Sequence, residues 1–402
     1  RMKERKYNVG IGDCYCHRHR KKSLLVDFGT NNSRIEGRPR REIFDVIISD
    51  LSTIKSKNLL LTHFHMDHLS GLLYMMKKKD ISVDFGKIYL PDVFSKKEMS
   101  RTLVLLLLAD LLKESGLPSR QVSLFALVDA LLENKQNVEL LSRGKLFENK
   151  YQALWPDTDV IRKETDEVYN RICEDGKFKE VMDVLLEFAE KLRLIVWSMT
   201  AEGNKPAETV EKETDLTASE LTEQPEVRQK IIRAYVYERE FRRIKALPDF
   251  KKLLAWLNEN QINLRQFKHK ISIVFQNARD GELNLLFTGD AQPEHLKMIA
   301  ENYDGKLPLY EHYWCIKVPH HGTQGHYFDF SQYEPENMLI SNGIHFANSK
   351  KESKELRTSP LYVKMKEKHT IKTKEVRGRI RDGERTLSKK IDTFDKKYGH
   401  FF

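Results

Sequence analysis

Cysteine is scarce in this 402-residue chain. Cys14, Cys16, Cys173 and Cys315 are the only four, too few and too scattered for a disulfide framework, so a reducing compartment is expected. Long apolar runs are missing as well. The longest, Leu103 to Ala109, falls far short of the roughly 20 residues a membrane-spanning helix needs, and no membrane association is expected. The first seven residues, Arg1 to Tyr7, are charged and carry no apolar stretch of the secretory kind, which points to the cytosol. No internal repeat is present, which sets solenoids and propellers aside. The two charge signs are unequal. Lys plus Arg number 69 against 59 for Asp plus Glu, a formal +10, which favours anionic partners such as nucleic acid. Charged residues at 32% and hydrophobic ones at 40% are ordinary globular values and exclude collagen-like and wholly disordered chains.

Length alone suggests two to three folding units, at roughly 150 residues each. The stretches Tyr7–Cys16 and Ser23–Gly29 are predicted as two strands joined by a polar turn, and Lys57–Thr62 as a further strand that runs into a histidine-rich loop and then a helix from Leu69 to Met76. This β–loop–α order suggests layered α/β packing. Residues 96–135 read as two helices broken at Ser115–Pro118, residues 136–155 as short strands, and residues 157–267 as a helical insertion. Within that insertion, residues 200–225 are rich in Glu, Thr, Asn and Pro, as an acidic disordered linker would be. Lys270–Phe275 and Leu283–Thr288 around Asp280-Gly281 form a predicted hairpin, and the tail beyond Ser349 is strongly basic.

The segment most informative about chemistry is Thr62-His63-Phe64-His65-Met66-Asp67-His68-Leu69. Three imidazoles and a carboxylate lie within six positions between a strand and a helix. Such a cluster is costly to bury unless it binds a cation, and imidazole plus carboxylate suits Zn, Mn or Fe. His63 and His65 can point to one side of an extended loop, while Asp67 and His68 turn into the helix start. Later strands end in Leu286-Phe287-Thr288-Gly289-Asp290-Ala291, in Ile316-Lys317-Val318-Pro319-His320-His321-Gly322 and in Ile340-Ser341-Asn342-Gly343.

This ordered set resembles the metallo-β-lactamase superfamily and, together with Asn8–Asp13 and Val26–Gly29, is most similar to the soluble domain of ComEC-type DNA-uptake proteins. The resemblance covers roughly residues 7–95, 136–156 and 268–380. It implies a four-layer αββα fold in two halves, residues 1–156 and 268–402, separated by the helical insertion. It also implies two divalent metal ions, Zn or Mn, with the candidate ligands His63, His65, Asp67, His68, Asp290, His320 and His321. On that resemblance His63 and His65 would hold one ion, Asp67 and His68 the other, with Asp290 bridging and one of His320 or His321 completing the second site. Asp67 and His321 are the catalytic candidates; Asp67 orients the attacking water, and whichever of the histidine pair is not a ligand can donate a proton to a leaving group. No histidine lies between His68 and His269, where relatives place a third ligand to the first ion. His269 can fill that position or be a solvated residue. Asp13 and Asp27 are candidates for orienting the histidines. The Cys14/Cys16 pair reads as core.

The function expected from this resemblance is metal-dependent hydrolysis by a metal-bound hydroxide, most simply a phosphodiesterase or nuclease, with the basic tail holding the polyanion. Two alternatives remain open: hydrolysis of a small nucleotide or other small ester with the insertion as a lid, and a partner-binding component of a bacterial defence system in which the insertion docks a protein.

Overall fold

The computed structural model describes residues 2–7, 9–19, 22–35, 37–78, 84–113, 123–174, 176–203, 243–260, 262–341 and the strand Lys372–Glu375. The expected acidic linker (almost wholly), the Ser115–Pro118 break and the side chains of the basic tail, among them Lys364, Lys366, Arg377 and Arg379, lie outside the described residues. The chain forms two compact units. The first comprises residues 1–91, 141–157 and 269–402, and the second residues 92–140 and 158–268.

The first unit is built on two sheets. In one, the strands Met2–Lys6, Tyr15–His19 and Lys22–Val26 run antiparallel in sequence order; Ser56–Leu60 then pairs parallel to Lys22–Val26, and Ile88–Pro91 parallel to Ser56–Leu60. The other runs Leu146–Phe147, Tyr151–Trp155, Val274–Asn277, Leu285–Phe287, Cys315–Lys317, Asn337–Ile340 and Lys372–Glu375, antiparallel through Leu285–Phe287 and parallel thereafter. Side chains alternate across a strand, so each sheet can turn one face inward. Tyr15, Leu24, Val26 and Leu60 from the first sheet meet Phe147, Tyr151, Phe275, Phe287 and Leu339 from the second in one buried cluster. Phe275 and Phe287 stack at 5.2 Å, and Tyr15 meets Phe287 edge-on at 5.5 Å. This is a mixed α/β architecture with parallel and antiparallel pairing, the fold class expected from the sequence.

The predicted hairpin around Asp280-Gly281 is present, with Phe275 opposite Phe287. The first predicted strand is not continuous. Tyr15–His19 is the strand, and residues 9–14 form a loop. The cause is close packing, because a Cβ on Gly12 would lie 2.2 Å from the Gly29 carbonyl oxygen and 2.8 Å from that of Asp67. The predicted helix starts earlier than Leu69, at Met66. Cys14 and Cys16 are both buried.

The second unit is mostly helical, with helices Ser100–Lys113, Ser123–Glu133, Thr158–Cys173, Lys179–Ser198 and Phe250–Glu259, and it also includes most of the short strand Val138–Leu141. Leu103 to Leu108 are all buried, so that helix packs on every side rather than along one stripe. Phe125 and Phe188 meet edge-on at 5.0 Å, and the hydroxyls of Thr102 and Thr165 bond at 2.9 Å. Lys268, Asp110 and Ser123 form a buried polar group in which the ammonium donates to both the carboxylate and, at 2.8 Å, the hydroxyl. Among the described residues no helix is long and apolar enough to cross a membrane.

Candidate metal centre

The strand Ser56–Leu60 delivers the chain through Leu61 and Thr62 to His63, and the helix Met66–Met76 begins just beyond His65. His65 is extended (φ −83°, ψ 150°) as the residue preceding the first turn. Asp67 stands in that first turn, where the helix dipole favours a carboxylate. The helix start is pinned by backbone bonds from the Asp13 N–H to the Asp67 carbonyl (3.2 Å) and from the Phe28 N–H to that of His68 (2.7 Å). The loop at residues 9–14 is therefore part of the scaffold of the centre.

Folding brings the sequence-predicted residues together in two groups with Asp290 between them. His63 Nε2 lies 3.0 Å from His65 Nδ1, and the His269 ring centroid is 5.4 Å from that of His63 and 4.7 Å from that of His65. The ligand atoms of these three residues all fall within 4.8 Å of one another. The second group is Asp67, His68 and His321, with His321 Nε2 3.4 Å from Asp67 Oδ2. Between the groups stands Asp290. Its Oδ2 is 3.2 Å from His68 Nε2, 3.7 Å from His63 Nε2 and 4.0 Å from His269 Nε2.

Asp290 is placed by the turn after Leu285–Phe287. Gly289 adopts φ +50°, and a Cβ there would sit 2.3 Å from Ser272 Oγ; the Asp290 N–H then donates to that same hydroxyl at 2.8 Å. His320 and His321 hold consecutive left-handed conformations, φ 43° and 58°. Each such residue costs on the order of 1 kcal/mol or more, the kind of strain that collects at functional sites. The turn parts the two rings. His321 goes to Asp67 and His68, whereas His320 joins His269 and Asp290, its Nδ1 bonded to Thr323 Oγ1 at 2.8 Å.

Behind these side chains lies a polar layer. Asp27 accepts from the Thr62 N–H, the Thr62 hydroxyl and His68 Nδ1, each at 2.8 Å. His63 Nδ1 contacts the Thr62 hydroxyl at 3.1 Å, so both histidines lead to Asp27. His321 Nδ1 contacts Ser341 Oγ at 3.2 Å, and that hydroxyl donates to Asp13. Lys317, fully buried, places its three N–H groups on Asp13 (2.6 Å), the Gly289 carbonyl (2.7 Å) and Asp290 Oδ1 (3.4 Å). The lysine therefore holds Oδ1 and leaves Oδ2 toward the histidines. Metal-binding imidazoles generally need such partners to fix their tautomer.

Burial sets the protonation of the first group. It pushes His63 and His269 well below the usual histidine range, helped by the neighbouring His68 and His320 respectively, and it lowers His320 too. These rings keep a free lone pair at neutral pH. His68 moves the other way, because the carboxylates of Asp290 and Asp27 outweigh its burial. His321 is raised against its burial by the hydrogen bond to Asp67 and by Asp290. Burial works against ionised Asp67 and Asp290 but loses: the His321 bond and the His68 charge lower Asp67, and His68 and Lys317 lower Asp290. His63, His269 and His320 thus offer neutral imidazoles and Asp67 and Asp290 ionised carboxylates, whereas a cation at the second group would have to displace the protons that His68 and His321 hold. One further observation fits a metal: His269 Nε2 is buried and has no hydrogen-bond partner, yet it points a donor atom toward the other ligands.

Lys317 and His326 also belong to this environment. His326 Nε2 lies 3.2 Å from His269 Nδ1. A lysine in a strand and a histidine after Gly-Thr-Gln-Gly carry no local signal of such roles; proximity to Pro-His-His-Gly is the one available hint.

Residues 7–92 match the family model described as the Metallo-beta-lactamase superfamily. No curated protein matches the chain. The family match and the His/Asp clusters together support a metal-dependent hydrolase.

Proposed function

We propose that this protein is a two-metal phosphodiesterase, most simply a nuclease, with the four-layer αββα fold and the helical unit as an insertion into it. The observation that carries the reading is Asp290, whose single oxygen Oδ2 lies within 4.0 Å of His63, His68 and His269 and so stands between the two ligand groups. His63, His65 and His269 would hold the first ion, Asp67, His68 and His321 the second, and Asp290 would bridge. Divalent cations bound there supply Lewis acidity, which activates water and neutralises charge on a phosphate in line with the attack.

The chain's own groups have separate tasks in this reading. Asp67, ionised and fixed by His321, orients the attacking water. His321 is taken up as a ligand, which leaves His320 as the group for substrate. Burial holds His320 neutral, and that suits a hydrogen bond to an incoming phosphate more than a stored proton. Lys317 and the Asp27–Thr62 pair hold Asp290, His63 and His68 in place. The excess of 69 basic over 59 acidic residues favours a polyanionic substrate, and binding should weaken steeply with salt.

The test is incubation of the purified protein with Mn or Zn and single-stranded, duplex or plasmid DNA, beside His63→Ala and Asp290→Asn. Metal-dependent cleavage that both variants lose is expected. Cleavage that neither variant affects would remove the proposed centre. Turnover of dinucleotides with long DNA left intact would redirect the reading to small substrates.

A further inference from the structure

The hydrogen bonds behind the ligand histidines are not alike. His68 Nδ1 meets the carboxylate of Asp27, and His321 Nδ1 reaches Asp13 through Ser341. His269 Nδ1 meets another imidazole, that of His326, at 3.2 Å. His326 is buried in the turn Gln324–His326, with its ring 4.9 Å from that of His269 and 4.0 Å from that of His320.

A neutral imidazole carries one N–H. Placed on Nε2 of His269, that hydrogen would be buried without an acceptor, which is unfavourable. Placed on Nδ1, it is donated to His326 Nε2. The Nδ1–H tautomer therefore holds, and the Nε2 lone pair is left toward Asp290 Oδ2, 4.0 Å away.

We propose that His326 is the positioning residue for His269: it accepts the Nδ1–H, fixes ring and tautomer, and thereby sets how tightly the first metal position holds its ion. The inference rests on the reading of His269 as a ligand. The chemistry of the pair explains why an imidazole serves here. Asp13, Asp27, Asp67 and Asp290 already gather around the centre, and an imidazole accepts a hydrogen bond without adding a further negative charge. A neutral acceptor also polarises His269 less than a carboxylate polarises His68. The first position consequently binds more weakly than the second.

The experiment is an equilibrium titration of the metal-free full-length chain with Zn and with Mn against a competing chelator, resolving the two binding steps. His326→Ala should weaken the looser step by roughly 10- to 100-fold, the usual effect of losing such a partner, and leave the tighter step within about twofold. His326→Gln, which offers a carbonyl acceptor, should restore most of the loss, and the shorter His326→Asn should not. His269→Ala should abolish the looser step. If His269→Ala abolishes it while His326→Ala, Gln and Asn all bind like wild type, the role of His326 is overturned and the ligand reading stands. If His269→Ala changes neither step, the ligand reading itself falls. Should His326→Ala fail to fold, the contrast between Gln and Asn decides, and equal affinities for those two would overturn the proposal. A drop in thermal stability of the metal-free protein with both affinities unchanged would mark His326 as a packing residue and overturn it equally.

Discussion

Replacing Asp27 by asparagine changes one atom and should disable half of the centre. In the native protein, Oδ1 accepts the Thr62 N–H and Oδ2 accepts both the Thr62 hydroxyl and His68 Nδ1, all at 2.8 Å. In Asp27→Asn, Oδ1 can keep the backbone bond, but the amide N–H₂ then faces two donors. Thr62 can rotate its hydroxyl; His68 can relieve the conflict only by moving its hydrogen to Nε2, the atom 3.2 Å from Asp290 Oδ2. That shift removes the lone pair with which His68 would bind a cation. Loss of such an orienting partner costs roughly 10- to 100-fold in metal affinity, about 1.4–2.7 kcal/mol at 1.36 kcal/mol per factor of ten. His63 is also bonded to Thr62, but only through a hydroxyl that survives the change, so the group of His63, His65 and His269 should lose far less. The assay is a two-step metal titration of wild type and Asp27→Asn by calorimetry. Weakening confined to the tighter step agrees with the reasoning. Equal affinities in wild type and variant, or a loss confined to the looser step, would refute it.

Further outcomes follow from the same geometry. Metal-free stability should peak near pH 6.5, the ordinary histidine value. Above it, His68 and His321, raised in the fold, lose their contribution as pH climbs through their folded values; below it, His63, His269 and His326, the last pushed down to about 3, stay neutral while the unfolded chain takes up protons. Denaturant unfolding from pH 4 to 9 after chelation checks this, and a monotonic profile would contradict it. Gly289→Ala should destabilise by more than about 1 kcal/mol and loosen metal binding, because the added Cβ meets Ser272 Oγ at φ +50°; a variant as stable as wild type would count against the turn as described. In the helical unit, Lys268→Met should cost roughly 3–5 kcal/mol by stranding buried Asp110, and Lys268→Met with Asp110→Leu should recover much of it, read by urea unfolding.

What the sequence discloses of this centre depends on how local the information is. His63, His65, Asp67 and His68 are legible because a strand, a loop and a helix start fall within a few residues and leave little choice of direction. Asp290 and the His320-His321 pair are legible as strand ends, but which histidine joins Asp67 is decided by two left-handed residues that no spacing rule predicts. His269 was open between ligand and solvated residue, since its neighbours in sequence are lysines; burial and the rings of His63 and His65 place it in the cluster. Lys317 and His326 act through partners far away in sequence. Their chemistry is that of a buried ammonium with three acceptors and of one imidazole accepting from another, and it exists only after folding. The same applies to residues 9–14, where strand-like composition yields to the close approach of Gly12 to Asp67.

The most direct test is elemental analysis of metal bound to purified wild type and Asp290→Asn after equilibration with Zn or Mn and removal of free ion. Two divalent ions per wild-type chain and fewer than two in the variant are expected, because a carboxylate oxygen shared by both positions has been weakened. Wild type that retains no ion, or a variant that keeps both with unchanged affinity, would contradict this expectation.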